Sequence, residues 1–323
     1  MMLETNIGII EKGFEDICLD TKQAHTMLDS FGYGPKMQRI DSLERKGNII
    51  KGSFIVTPEM CSNNFLLPTE IVEATAQTCL LDQASQREVA GIPLFEGIES
   101  FKFRSLVHEG QIVTIAIDKE KDVLVRNSVI SKSEVSLENG DLVAEGRIRG
   151  TTMKKDVFDW IVKKARNNIE CKVPQFSLQN NRSDYEYYSK EQINDLLKNI
   201  TKKIFVDAFY FNPNSGDGVG VFEISPEVCD GHNGVFRGVD QIQGILQSRY
   251  LLNKLLSKDK IKSIPFLKSI EEFAFVSPAI QRAIINYNVR NRSEEMKDNT
   301  NILKDTVSFA DKIITEGRIE MEY

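Results

Sequence analysis

The sequence predicts an α+β protein made of two tandem repeats, each a long buried helix wrapped by an antiparallel sheet. Three observations lead there. Segments of the first half return in the same order in the second half. Each copy contains one long run with the apolar spacing of a largely buried helix. Each such run is followed by β-branched, strand-like segments.

The repeat is visible in four matched pairs. GSFIVTPEMC at 52–61 answers GVFEISPEVC at 220–229, with Gly, Phe, Pro, Glu and Cys at an offset of 220 − 52 = 168. Gln77 and Gln247 close two similar runs at offset 170. GIESFKFRSLV at 97–107 answers SIEEFAFVSPA at 269–279, so Ile98, Phe101 and Phe103 fall on Ile270, Phe273 and Phe275. LVAEGRIRG at 142–150 answers IITEGRIEM at 313–321. Four ordered matches with nearly constant offset indicate a duplication.

In chain order, each copy opens with a short helix, DTKQAHTML (20–28) and SKEQINDLL (189–197), where a Thr or Ser stands as N-cap before the periodic run. A strand follows around 49–56 and again around 219–224. The long helix spans about 69–84 and 238–256; Ile71, Val72, Thr75, Ala76, Cys79 and Leu80 give it a broad apolar face. Strands are expected at 113–117, 123–137 and 142–153, the last two joined by a turn at Glu138-Asn139-Gly140-Asp141. Residues 154–168 read as an amphipathic helix, and 179–189 as a polar linker. The implied division is 1–153 for the first repeat, 154–188 for the connection and 189–323 for the second repeat.

Composition narrows the function classes. The 323 residues carry 41 Lys and Arg against 47 Asp and Glu, a net charge of −6, without the basic excess of a nucleic-acid-binding protein. The sequence has no apolar run long enough to span a membrane and no secretory leader pattern, so a cytoplasmic protein is expected. Five cysteines form no CxxC pair and only three histidines occur, which argues against a metal centre. Cys61 and Cys229 read as small core residues, and His25 and His108 as solvent-facing.

Val72-Glu73-Ala74-Thr75-Ala76-Gln77 resembles the VEAxAQ run on the central helix of FabZ/FabA-type 3-hydroxyacyl-thioester dehydratases, which have the hotdog fold. Phe101-Lys102-Phe103-Arg104-Ser105-Leu106-Val107 with Glu109-Gly110 is similar to that family's FRxxVxPGD segment, and 189–197 resembles its opening helix. The resemblance covers about 130 residues, twice, and implies a double hotdog, a dimer within one chain. It also implies active sites shared between the halves, each with a His from one half and an acid on the central helix of the other.

On that resemblance the acid column holds Glu73 in the first half and Gln243 in the second. The His column holds His232, in a loop shorter than the family's, and Asn64. One pocket would then unite His232 with Glu73, while Asn64 and Gln243 would form a degenerate partner unable to exchange protons. The implied reaction is loss of water from a 3-hydroxyacyl thioester, with His232 as base and Glu73 as acid. Gly238, opening the second long helix, would offer the thioester carbonyl a backbone N–H, and Gln77 and Gln247 would buttress the site. No cofactor is implied beyond the phosphopantetheine of an acyl carrier protein or CoA. Lys102, Arg104 and Arg149 are candidates to steer an acidic carrier, or simply a solvated basic edge. A thioesterase, an enoyl-thioester hydratase and a noncatalytic acyl-binding or scaffold protein remain alternatives, and association into a homo-oligomer is left open.

Overall fold

A single antiparallel sheet runs through both repeats of the computed structural model, which describes residues 16–62, 65–85, 91–170, 184–198, 200–201, 203–232, 234–257, 266–290, 295–297, 300–309 and 312–322. From its first edge to the middle, the strands are Ile17–Leu19, Ser42–Lys46, Ile49–Ile55, Ile112–Asp118, Ser128–Leu137, Leu142–Met153 and Ile92–Phe103. From the middle to the other edge come Phe266–Phe275, Lys312–Glu322, Thr300–Phe309, Ile284–Val289, Gly218–Glu223, Ala208–Phe211 and Glu186–Tyr188. The second series repeats the first in mirror order.

The seam between the halves is Ile92–Phe103 against Phe266–Phe275. Phe101 pairs with Ile270, and Phe273 pairs with Ile98. Since Phe273 is the repeat mate of Phe101, and Ile270 that of Ile98, this is the self-complementary register of a two-fold dimer. The strands form because apolar side chains alternate with others along them. Val113, Ile115 and Ile117 turn inward from Ile112–Asp118, as do Ile50 and Phe54 from Ile49–Ile55.

Against this sheet pack α2 (Pro68–Ser85) and α5 (Gly238–Leu256), side by side. The sheet and its neighbours enclose both helices, so even polar residues of α2 such as Thr75, Gln77 and Thr78 are wholly buried. The repeated glycines Gly52 and Gly220 explain how the helices come so close. A Cβ at Gly52 would collide with the Thr78 side chain, and one at Gly220 with Ser248, the corresponding helix position. The smaller helices are α1 (Thr21–Ser30), α3 (Lys155–Glu170), which joins the halves, and α4 (Lys190–Leu197).

Three local expectations are corrected. Asp20, not Thr21, caps α1: its carboxylate accepts from the Gln23 N–H while the Gln23 side chain accepts from the Asp20 N–H. The 123–137 segment is a hairpin rather than one strand. Val125 pairs with Ser128, and Arg126 takes a positive φ of 58° in the two-residue turn between them. The polar linker ends in structure, because Glu186–Tyr188 pairs with Ala208–Phe211 as the second repeat's edge strand. It is the counterpart of Ile17–Leu19, so the second repeat begins before Ser189.

Among the described residues, the most deeply buried ion pairs are Arg45 with Asp82 and Arg249 with Asp305, all four side chains at most 1% exposed. Removing one partner leaves an uncompensated buried charge. Asp305→Ala is therefore expected to destabilise the protein by about 3–5 kcal/mol. Urea unfolding of the variant against wild type measures this; a loss under 1 kcal/mol contradicts it.

Candidate active site at the seam

Symmetry brings residue 73 of α2 toward the start of α5, and residue 243 of α5 toward the start of α2. On the first side, the Glu73 carboxylate lies 3.8 Å from Arg237 Nη1, at the N-cap of α5. On the other, Thr69 Oγ1 donates to Gln243 Oε1 at 3.3 Å. The acid column thus reaches across the seam in both directions, with a carboxyl on one side and an amide on the other. Asn64 lies outside the described residues.

Glu73 is 4% exposed, and its Oε1 accepts from Gln77 Nε2 at 2.9 Å. Burial pushes its carboxyl pKa up, against the opposing pull of Arg237 and the Gln77 hydrogen bond. Glu70, one turn earlier, goes the other way. Burial alone would raise it, but Arg39 and then Arg237 outweigh burial and hold it below the ordinary range. Two carboxyls on one helix face therefore shift in opposite directions, Glu73 toward holding a proton and Glu70 toward losing it.

His232 sits in the turn before α5. Its Nδ1 lies 3.1 Å from the Val235 carbonyl oxygen, which can only accept. The Nδ1 proton is thereby assigned, and Nε2 carries the free lone pair. Burial, then the charge of Arg237, lowers its pKa to about 4, so the imidazole is neutral at ordinary pH. The Tyr33 ring from the first repeat meets the His232 ring edge-on, with centroids 5.1 Å apart. Burial, followed by the charge on Glu73, raises the Tyr33 phenol. Among the described residues, Tyr33 packs on His232 and feels the charge of Glu73, while Arg237 lies near Glu73 and its charge acts on His232.

Gln77 does more than brace Glu73. It accepts from the Arg39 N–H and donates to the Met37 carbonyl, as Gln247 does with the Phe205 N–H and the Lys203 carbonyl. The repeated glutamines fasten each central helix to the loop preceding its sheet. Gly238 opens α5 as expected, and the close approach of the Phe275 ring leaves no room for a Cβ there. Cys61 and Cys229 are buried. His108 is exposed beside the Phe65 ring, whereas His25 is part-buried and faces Asp41. Arg104 pairs with Glu145 and Arg149 with Glu99, so neither projects an uncompensated charge.

Arg237, Asp240, Glu70, Arg39 and Tyr33 escaped the sequence reading. Arg237 Nε and Nη2 both donate to the Asp240 carboxylate at 2.7 Å. An Arg three residues before an Asp at a helix start was the available signal. Nothing local marked Tyr33. Beside α2 lies a small cavity of about 40 Å³, lined among others by Tyr33, Ala76, Cys79, Leu80, Phe95 and Ile148.

This architecture is that of a double hotdog protein resembling thioester dehydratases. Solved structures share it: the dehydratase domain from the CurK module of curacin polyketide synthase aligns at TM-score 0.56 and 13% identity, over 89% of this chain and 97% of that one. The dehydratase domain of RzxB from Pseudomonas fluorescens aligns at 0.55 and 8%, over 90% and 98%. An acyl-ACP thioesterase from Bacteroides thetaiotaomicron aligns at 0.53 and 11%, over 85% and 98%. The chain matches no protein-family model and no curated protein sequence. Both dehydratases and thioesterases are enzymes on this fold, and no helix among the described residues is long and apolar enough to cross a membrane.

Proposed function

We propose that the chain is a 3-hydroxyacyl-thioester dehydratase with one working site, formed by His232 of the second repeat and Glu73 of the first. The observation supporting this most is that an imidazole of the second repeat and a buried carboxyl of the first approach one another's surroundings at one seam. The His232 imidazole packs on Tyr33 and the buried Glu73 carboxyl lies 3.8 Å from Arg237, while the charge of Arg237 also acts on His232 and that of Glu73 on Tyr33.

His232 Nε2 takes the α-proton, and the electron pair moves onto the thioester carbonyl as an enolate oxygen. The N–H of Gly238 and the positive start of α5 face that developing charge, with the Arg237 guanidinium adding to the local potential. As the pair returns, the C3–O bond breaks and the hydroxyl leaves as water with the proton from Glu73. Proton exchange then resets both groups, and the reverse sequence is hydration.

Incubation with a 3-hydroxybutyryl thioester is expected to yield a product lighter by one water, about 18 Da, with the thioester intact. Release of free acid would instead make the chain a thioesterase, and binding without turnover would make it an acyl-binding protein.

The pH profile follows from the two shifts. kcat/KM should fall as pH drops through about 4, where His232 protonates. It should fall again as pH rises through the raised pKa of Glu73. Stability carries the same His232 signature: its folded pKa is depressed below the unfolded value, so the unfolded chain binds the extra proton between about 4 and 6.5. Its contribution is intact above that window and is lost as pH falls through it, with a slope of up to about 1.4 kcal/mol per pH unit. A stability curve that stays flat from pH 7 to 4 contradicts this.

The small cavity beside α2 also predicts chain-length selectivity. Added methylenes must displace close-packed side chains at about 1–3 kcal/mol, so kcat/KM should drop roughly tenfold or more between four-carbon and twelve-carbon substrates. Equal rates for both would refute it.

A further inference from the structure

Helix α3 is an addition between the repeats, and it flanks a groove whose Arg166 stands against the loop that holds His232. The groove has a volume of about 760 Å³ and a floor of Phe31, Ile92, Phe158 and Val162. Its rim carries Lys155, Lys163 and Arg166 against the single carboxylate of Asp159. Among the described residues, none of these three cations has a carboxylate within 4 Å, so their charge remains available to a ligand.

Two chain segments border both the groove and the inner cavity. Phe31 lines it, and Tyr33, two residues on, lines the inner cavity and packs on His232. Ile92 lines the groove, and Pro93, Leu94 and Phe95 line the cavity. Arg166 ties the outer end to the His232 loop. Gly234, at φ 73°, follows His232 by two residues, and a Cβ built there would stand 2.9 Å from Arg166 Nη2.

An apolar floor edged with cations that have no carboxylate partner among the described residues, one of them against the His232 loop, fits a long, weakly polar arm with an anionic phosphodiester at its outer end. We propose that this groove receives a phosphopantetheine arm, with Lys163 and Arg166 holding its phosphate while the thioester lies at His232. This rests on the thioester reading above. It adds that recognition of the carrier belongs to α3 and not to Lys102, Arg104 and Arg149, two of which are already paired with glutamates.

The test is the double variant Lys163→Glu with Arg166→Glu, both exposed positions, compared with wild type on two substrates. One is a 3-hydroxybutyryl thioester of CoA, and the other is the N-acetylcysteamine thioester, which lacks the phosphate. KM for the CoA substrate should rise roughly tenfold or more, with kcat and the N-acetylcysteamine kinetics unchanged within about twofold. Equal losses on both substrates, or no loss on either, overturn the proposal. Calorimetric binding of CoA itself separates the two readings. Binding by wild type that the double variant loses supports the groove even if no thioester is turned over, and binding unaltered by the charge reversal removes it.

Discussion

His232→Ala is expected to lower kcat on a 3-hydroxybutyryl thioester by about 10²- to 10⁴-fold, the usual contribution of a positioned general base. The loss should appear in kcat more than in KM, since the imidazole acts on a proton that moves only in the transition state. The fold should tolerate the change. His232 lies part-buried in a turn, and among the described residues its side chain bonds only the nearby Val235 carbonyl, so Ala removes little besides the ring's packing on Tyr33. The limb of the pH profile near 4 should vanish with the imidazole. A variant that retains wild-type kcat, with unchanged thermal unfolding, would end the assignment of His232 as base.

Glu73→Gln should cost a similar 10²- to 10⁴-fold in kcat, because an amide cannot hand a proton to the leaving hydroxyl. The substitution keeps shape and leaves an oxygen for Gln77 to donate to, and the second repeat already places Gln243 at this position. The variant makes both sides of the seam alike, and both inert. The converse, Gln243→Glu, should add no activity while the imidazole exists on one side only. Should Gln243→Glu double kcat per chain, or Glu73→Gln leave it intact, the one-site reading fails. Loss of the alkaline limb in Glu73→Gln separates proton donation from a merely structural role.

How much of this was legible depends on the residue. Gln77 and Gln247 stood out because a duplicated fold needs the same staple twice, and both copies kept it. The glycines at 52 and 220 recur for a similar reason: each lets a helix hydroxyl approach the sheet. Gly238 was located correctly, yet the ring of Phe275 against it was not foreseeable from the chain around it. The edge strand at Glu186–Tyr188 was hidden by its polar, turn-like composition, as an edge strand needs few buried side chains.

By itself the sequence determined the duplication and the two central helices, because these are patterns of period and offset along one chain, while the columns holding His232 and Glu73 came from the family resemblance. Only the tertiary structure decided what surrounds those two groups. Arg237 reaches Glu73 over 237 − 73 = 164 residues, and Tyr33 reaches His232 over 232 − 33 = 199. Burial and charge at such contacts move a proton's affinity by the summed field of everything nearby, and no window along the chain contains that sum.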